Sequence, residues 1–205
     1  ELSRGYCSHP EASPTKCHRT IVRAHTVQRS VGLAAIAESG HVLSVKSGAE
    51  DIFENLGNIE PKLLGVGKAT TFNGFCATHD SEMFRPVEVG VPTLTKENAF
   101  LLSFRAVAYE LLSKKAAINC KEILQQLDCG QPFDVQVQIQ SHLHYSRQGM
   151  ALGLLDIEKL KARYDSAFKA NDFDDMSVYA IEFSGVLPVV ASCAFQPEIS
   201  FDGKQ

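Results

Sequence analysis

The chain has 205 residues, 44% of them hydrophobic and 21% charged, with a net charge of −4. That composition excludes a fibrous or disordered chain, and the length suffices to bury a core without disulfides. Arg105 and Glu110 break the longest apolar run, AFLLSFRAVAYELL, so no stretch reaches the roughly 18 residues of a membrane span.

The charge is unevenly spread. Residues 1–35 hold five basic side chains against two acidic ones, and residues 156–205 hold five against nine. A basic head on an acidic body admits local phosphate contact and argues against a protein that coats nucleic acid non-specifically. The six cysteines are scattered and not framework-spaced, which is the pattern of reduced thiols in a cytoplasm. The chain opens at Glu1 and stops after a strand-like run at FDGKQ, so it reads as continuing past Gln205.

In chain order, residues 1–20 are rich in Ser, Pro and His and form an irregular loop. TIVRAHTVQ alternates β-branched and polar residues, a short strand with His25 near its end. VGLAAIAESGH reads as a helix of two to three turns with Leu33, Ile36 and Ala37 on one face, stopped by Gly40. HVLSV is a strand. Residues 46–70 have no sustained period and read as a long connection with one short helical turn. Within it, Gly65-Val66-Gly67-Lys68 lacks the spacing and the following helix of a phosphate-binding loop. TTFNGFC is a strand or tight turn leading into a helix at ATHDSEMF, whose first turn suits Asp80 and Glu82. Gly90 and Pro92 mark a boundary.

Beyond it, Thr95 caps a helix of about 20 residues from Lys96, with Phe100, Phe104, Val107 and Leu111 at helical spacing. INCKEILQQL is a second helix ending near Cys129-Gly130. PFDVQVQIQSHLHY is ambiguous: Val135, Val137 and Ile139 alternate as in a strand, yet the stretch also suits a helix start. MALGLLDIEKLKARYDSAFKAN is a long amphipathic helix with Leu152, Leu155, Leu160 and Tyr164 inward. MSVYAIEFSG and LPVVASCAFQPEISF read as a strand pair. The expected fold is α+β: a small zinc-stabilised module over residues 1–90, then a mainly helical body over 91–205 with a C-terminal β-hairpin.

The chemistry-bearing residues concentrate in two stretches. CSHPEASPTKCHRTIVRAHTVQR holds Cys7, Cys17, His18 and His25, and TTFNGFCATHDSEMFRPVE holds Cys76, His79 and Asp80. Structural zinc takes four Cys or His ligands, brought together as pairs from separate segments. Cys76-x-x-His79 has the spacing of one pair, and Cys7 with Cys17 supplies the other across nine intervening residues. His9 and His18 are alternatives to one of these cysteines. His25 is either left over for chemistry, a ligand in place of one cysteine, or a structural strand residue. Lys16, Arg23 and Arg29 are candidate phosphate-binding residues.

This order resembles the treble-clef HNH-type (ββα-metal) nucleases. In that family a cysteine pair precedes a strand ending in a catalytic histidine, and a second metal-binding pair opens a helix. The resemblance covers residues 1–88. It implies Cys7, Cys17, Cys76 and His79 as structural zinc ligands, His25 as general base, and Asp80 as the helix residue holding a magnesium or manganese ion. It implies hydrolysis of DNA phosphodiesters by an endonuclease, in which imidazole deprotonates water and the ion stabilises the phosphorane. The chain departs from the family where Ala24 precedes His25 and where the central Asn has only Asn73 or Asn55 as a match. The alternative is a non-catalytic zinc-binding module that contacts nucleic acid, or a protein partner through the helical body. The run HTVQRS…IAESGHV…FNGFCATHDSEMFRPVE also resembles an uncharacterised bacterial protein family, which implies no function. His142 and His144 would point one way on a strand as weak metal candidates, and Cys120 and Cys129 read as core packing. Asp172, Asp174 and Asp175 lack the distal Glu of a calcium loop.

Overall fold

A computed structural model describes residues 6–45, 60–120, 125–126 and 128–194. Its elements are the strands β1 (Ile21–His25), β2 (His41–Ser44), β3 (Lys62–Gly65) and β4 (Thr71–Cys76), and the helices α1 (Ala34–Ile36), α2 (Ala77–Glu88), α3 (Lys96–Asn119) and α4 (Phe133–Ala170). The fold is α+β, with two small antiparallel sheets. Among the described residues no helix is long and apolar enough to cross a membrane.

The two chemistry-bearing stretches meet because β1 pairs antiparallel with β4, Ile21 opposite Cys76 and His25 opposite Thr71. The register shifts between Val22 and Ala24, where Arg23 alone faces two residues of β4, Asn73 and Gly74, so the bulge lies on β4; Arg23 is exposed. Such bulges re-aim side chains. Every residue of β4 except the half-buried Asn73 is buried. At Gly74 a Cβ would stand 2.1 Å from the Phe72 ring, so only glycine lets that ring lie back along the strand.

Between β1 and β4 the chain makes a second, smaller unit. A π-helical turn at Arg29–Leu33 runs into the single turn of α1. The expected helix over 31–41 is therefore cut short. It has no side-chain N-cap, and so short a helix is held by packing more than by its own propensity. Ala37 is already extended, and Ser39 and Gly40 turn back at φ 49° and 75°, bridging Glu38 to His41. β2 then pairs with β3, Leu43 opposite Leu63. The connection expected over 46–70 thus contains a strand, while its residues 46–59 lie outside the described ones. The Gly65–Thr70 segment is a turn between two strands, closed by Lys68 N–H donating to the Gly65 carbonyl (2.8 Å), and has no helix to support phosphate binding. Leu33, Val42 and Ala69 form this unit's core.

α2 follows β4 without a loop. α3 is capped as expected, Thr95 Oγ1 accepting the Asn98 N–H at 3.1 Å. It is buried on two faces and sits between the β1–β4–α2 head and α4. Phe100, Leu101, Phe104 and Ala108 join Ala24, Phe72, Phe75, Met83, Phe84 and Val87 in one core cluster. That cluster draws on residues from both sides of position 90, so the head shares its core with the helical body. α4 runs antiparallel to α3: Phe100 stacks on Tyr164 (centroids 5.1 Å), while Val107 and Leu111 pack with Ile157.

α4 is continuous over 38 residues, which resolves the ambiguous stretch as helix. Val135, Ile139 and Leu143 are partly buried at the i, i+4 spacing of one helical face, so the alternation with glutamine was incidental. The inward stripe differs from the expected one. Ile157 and Lys161 are buried, with Leu154, Leu160 and Tyr164 packed beside them, whereas Leu152 and Leu155 are 64% and 54% exposed. Asn171, at φ 51°, ends the helix in the left-handed conformation. The expected helix at INCKEILQQL falls largely on residues 121–124 and 127, outside the described ones. The expected strand pair does not form over residues 176–194, which carry no strand; residues 195–201 lie outside the described ones. β-branched residues favour a pleated, half-buried surface, but only a partner strand supplies the ladder. Here Tyr179, Ile181 and Phe183 stand in solvent.

Candidate metal centre

Cys7, Cys17, Cys76 and His79 come together at the junction of the N-terminal loop, β4 and α2. Their ligand atoms all lie within 4.8 Å of one another, and this is the group among the described residues that could hold a metal ion. Three sulfurs converge on a single nitrogen, His79 Nδ1: Cys7 at 3.3 Å, Cys17 at 3.6 Å and Cys76 at 3.3 Å. One Nδ1 proton can satisfy only one of them. Bond lengths of about 2.3 Å to sulfur and 2.0–2.1 Å to nitrogen give a tetrahedral edge of about 3.6 Å. The spacing is therefore that of ligands around an ion.

Each ligand is placed by local chain chemistry. Cys76 is the N-cap of α2, and His79 lies in its first turn, so an i, i+3 pair shares one helix face. Cys7 is set against β4 by Ser8 N–H donating to the Gly74 carbonyl (2.8 Å). Cys17 closes a turn in which its N–H donates to the Ser13 carbonyl (2.9 Å). The loop then rejoins the helix start through Ala77 N–H and the Thr20 carbonyl (3.1 Å). Cys76 and His79 are buried, while Cys7 and Cys17 are partly so.

The surroundings prepare two of the thiols differently. Burial pushes the Cys7 thiol up to about 11. Burial also opposes the Cys76 thiolate, yet the backbone N–H groups of His79 and His18 and the neighbouring Cys7 and Cys17 side chains outweigh it, so its pKa lies below the ordinary value. A thiolate at a helix N-terminus with N–H donors is the ready form of a metal ligand.

His9 and His18 are not in the ligand set. His9 lies flat on the His79 ring, centroids 3.9 Å apart at 2°, and its own pKa is lowered to about 4 by burial and then by the neighbouring His79 charge. His18 is exposed and accepts the Thr20 N–H.

His25 stands at the end of β1, with its Nε2 3.0 Å from the Val66 carbonyl. A carbonyl only accepts, so in the neutral ring Nε2 carries the proton and Nδ1 is bare. Asp80 faces a different cation from the expected one: its Oδ1 lies 4.0 Å from Arg105 Nη2. Arg105, on α3, is 1% exposed; its Nη1 donates to Glu88 Oε1 at 2.7 Å, and its guanidinium covers the Phe84 ring at 4.0 Å. Burial raises the Asp80 pKa, Arg105 offsets this in part, Glu88 adds to the rise, and His25 opposes it. Asp80 Oδ1 and Arg105 Nε are buried without hydrogen-bond partners. In the sequence Arg105 stands out only as a break in an apolar run; that lone guanidinium is the one local signal of a residue that the fold sets against two carboxylates of α2.

Ala24, the residue before His25, is buried in the core. Arg23 and Arg29 are exposed, and Lys16 pairs with Glu11 at 3.0 Å. His142 and His144 lie on α4, where i and i+2 do not share a face; they contact Ser146 and Gln148 respectively. Cys129 is exposed and Cys120 only partly buried. No protein-family model, no curated protein and no solved structure matches this chain.

Proposed function

We propose that the chain is a zinc-organised binding module of treble-clef-like, HNH-like construction that contacts nucleic acid through its basic head without hydrolysing it. The observation that carries this reading is the closed ligand set. Four protein ligands at tetrahedral spacing leave no position for water, as in structural zinc sites, whereas catalytic sites keep one open. The same reading takes β1, β4 and α2 as the ββα unit of that family, with the zinc tying the loop to the helix start.

A guanidinium occupies the neighbourhood where the family resemblance expects a hydrolytic magnesium or manganese ion. Arg105 neutralises Asp80 and Glu88, and a second cation there would meet its repulsion. Arg23, opposite the β4 bulge, offers exposed guanidinium groups to phosphate together with Arg19 and Arg29. Lys16 contributes less, being engaged by Glu11.

One observation favours hydrolysis as the second reading. The Val66 carbonyl fixes the His25 ring, leaving Nδ1 to take a proton from water, as a general base requires.

The experiment is binding to a short DNA duplex across salt concentrations, paired with plasmid cleavage in magnesium, manganese or EDTA. Retention that weakens steeply with salt, with a slope reduced by about 2 on Arg23→Ala plus Arg29→Ala, is expected. Retention at low salt that these substitutions leave unchanged would overturn the nucleic-acid reading and point to a protein partner through the helical body. Cleavage that needs a divalent ion and disappears in His25→Ala would replace the binding module with the endonuclease.

A further inference from the structure

We propose that His9 is the lever through which the metal centre holds α4 in place, so that filling the Cys7–Cys17–Cys76–His79 site seats the last turns of α4 on the head and emptying it frees them. The proposal rests on the reading of those four residues as metal ligands.

His9 coordinates nothing, yet it is stacked on the ligand His79 and set edge-on to Phe168 of α4, with centroids 5.1 Å apart at 81°. Phe168 in turn meets Phe104 of α3 at 6.3 Å. A continuous row of rings thus joins the metal ligand to the interface of α3 and α4. The loop that carries His9 has little else to hold it. Its backbone is tied to the head at Ser8 and Thr20, and the ligands Cys7, just before the first tie, and Cys17, before the second, supply the further constraint. Without an ion, the single His79 Nδ1 can hydrogen-bond only one of the three sulfurs at a time, and the loop with His9 is released.

A second tie runs through charge. Three thiolates around a divalent ion leave one net negative charge. Lys161, buried on α4 one heptad before Phe168, presents its ammonium over the Phe104 ring at 4.6 Å and pairs with Asp165. Burial disfavours its protonated form and lowers its pKa, an effect that Asp165 and, to a smaller extent, the Cys7 charge oppose. Leu154 and Ile157, further up α4, pack on Val107 and Leu111 and provide an internal reference.

The test is hydrogen exchange on the full chain, zinc-loaded and then chelated, with zinc content measured first. Chelation is expected to speed exchange over residues 161–170 at least tenfold, with a smaller change over 100–111. Zinc-loaded His9→Ala is expected to keep its metal and already show the faster exchange over 161–170, whereas His9→Phe, which keeps the stack, is expected to resemble wild type. Exchange over 161–170 that ignores zinc, that rises equally across α3 and α4, or that is unchanged in His9→Ala would overturn the lever. A wild-type chain that takes up no zinc would overturn the metal reading itself, and with it the proposal. The two failures are distinguished by the zinc content.

Discussion

Arg105→Met removes the buried guanidinium while keeping most of its volume, and its consequence can be worked from the contacts. Glu88 loses a 2.7 Å charge-assisted bond, but its side chain is 40% exposed and water replaces much of that interaction. Asp80 is the costlier orphan, with its side chain 24% exposed and its nearest guanidinium gone. Breaking one partner of a buried pair costs about 3–5 kcal/mol. The Asp80 penalty has a ceiling, however, because the carboxyl can take up a proton, which from an ordinary carboxylate pKa costs about 4 kcal/mol at pH 7. Loss of the contact with Phe84 adds about 0.5–1 kcal/mol. The expected destabilisation is therefore about 3.5–5 kcal/mol, read as the midpoint of urea unfolding at pH 7 with the metal loaded. Asp80→Asn in the Arg105→Met background should recover about half of it, since the orphaned charge is gone. The pH dependence has a definite sign. Burial leaves Asp80 with a folded pKa above its unfolded one, so its contribution to stability is present at acid pH and lost as pH rises through the folded value. Stability of wild type relative to Asp80→Asn should accordingly fall from pH 3 towards neutrality. A loss below about 0.5 kcal/mol in Arg105→Met, or no recovery in the double variant, would refute the view of Arg105 as the cation that holds Asp80.

Two further outcomes are expected. Cys76→Ser should lower zinc content and thermal stability together, because metal-binding free energy in such a site is folding free energy; a wild-type protein equally stable with and without metal would count against it. Gly74→Ala should destabilise by about 1–3 kcal/mol through overpacking, since its Cβ falls 2.1 Å from the Phe72 ring, and calorimetry showing an unchanged transition would mean that the ring has another place to go.

The Cys7, Cys17, Cys76 and His79 cluster, which could hold a metal ion, was legible in the sequence. Metal coordination demands particular atoms, and Cys7, Cys17 and the Cys76-x-x-His79 pair stand out in segments poor in core-forming residues. Strand β1, the run into α2 and the Thr95 cap of α3 were legible for a similar reason: short-range pattern and capping act within a few residues. What depends on partners far along the chain was not. Lys62–Gly65 becomes a strand because β2 is there to pair with it, while the far more β-like run at residues 178–183 pairs with no strand among the described residues and leaves Tyr179, Ile181 and Phe183 exposed. VQVQIQ became the start of α4 because its period of two coincided with a helical face over too few residues to tell the two apart. Arg105 and Lys161 looked like ordinary charges, yet both are buried, since burial is fixed by what packs around a residue. His9 looked like a spare ligand, and the fold made it a stacking partner. The sequence by itself determined which atoms can bind a metal and where the local turns begin. Which carboxylates face a buried guanidinium, and which helix brings Phe168 against His9 beside the Cys/His cluster, were settled by the tertiary packing, because those contacts join residues that no local pattern relates.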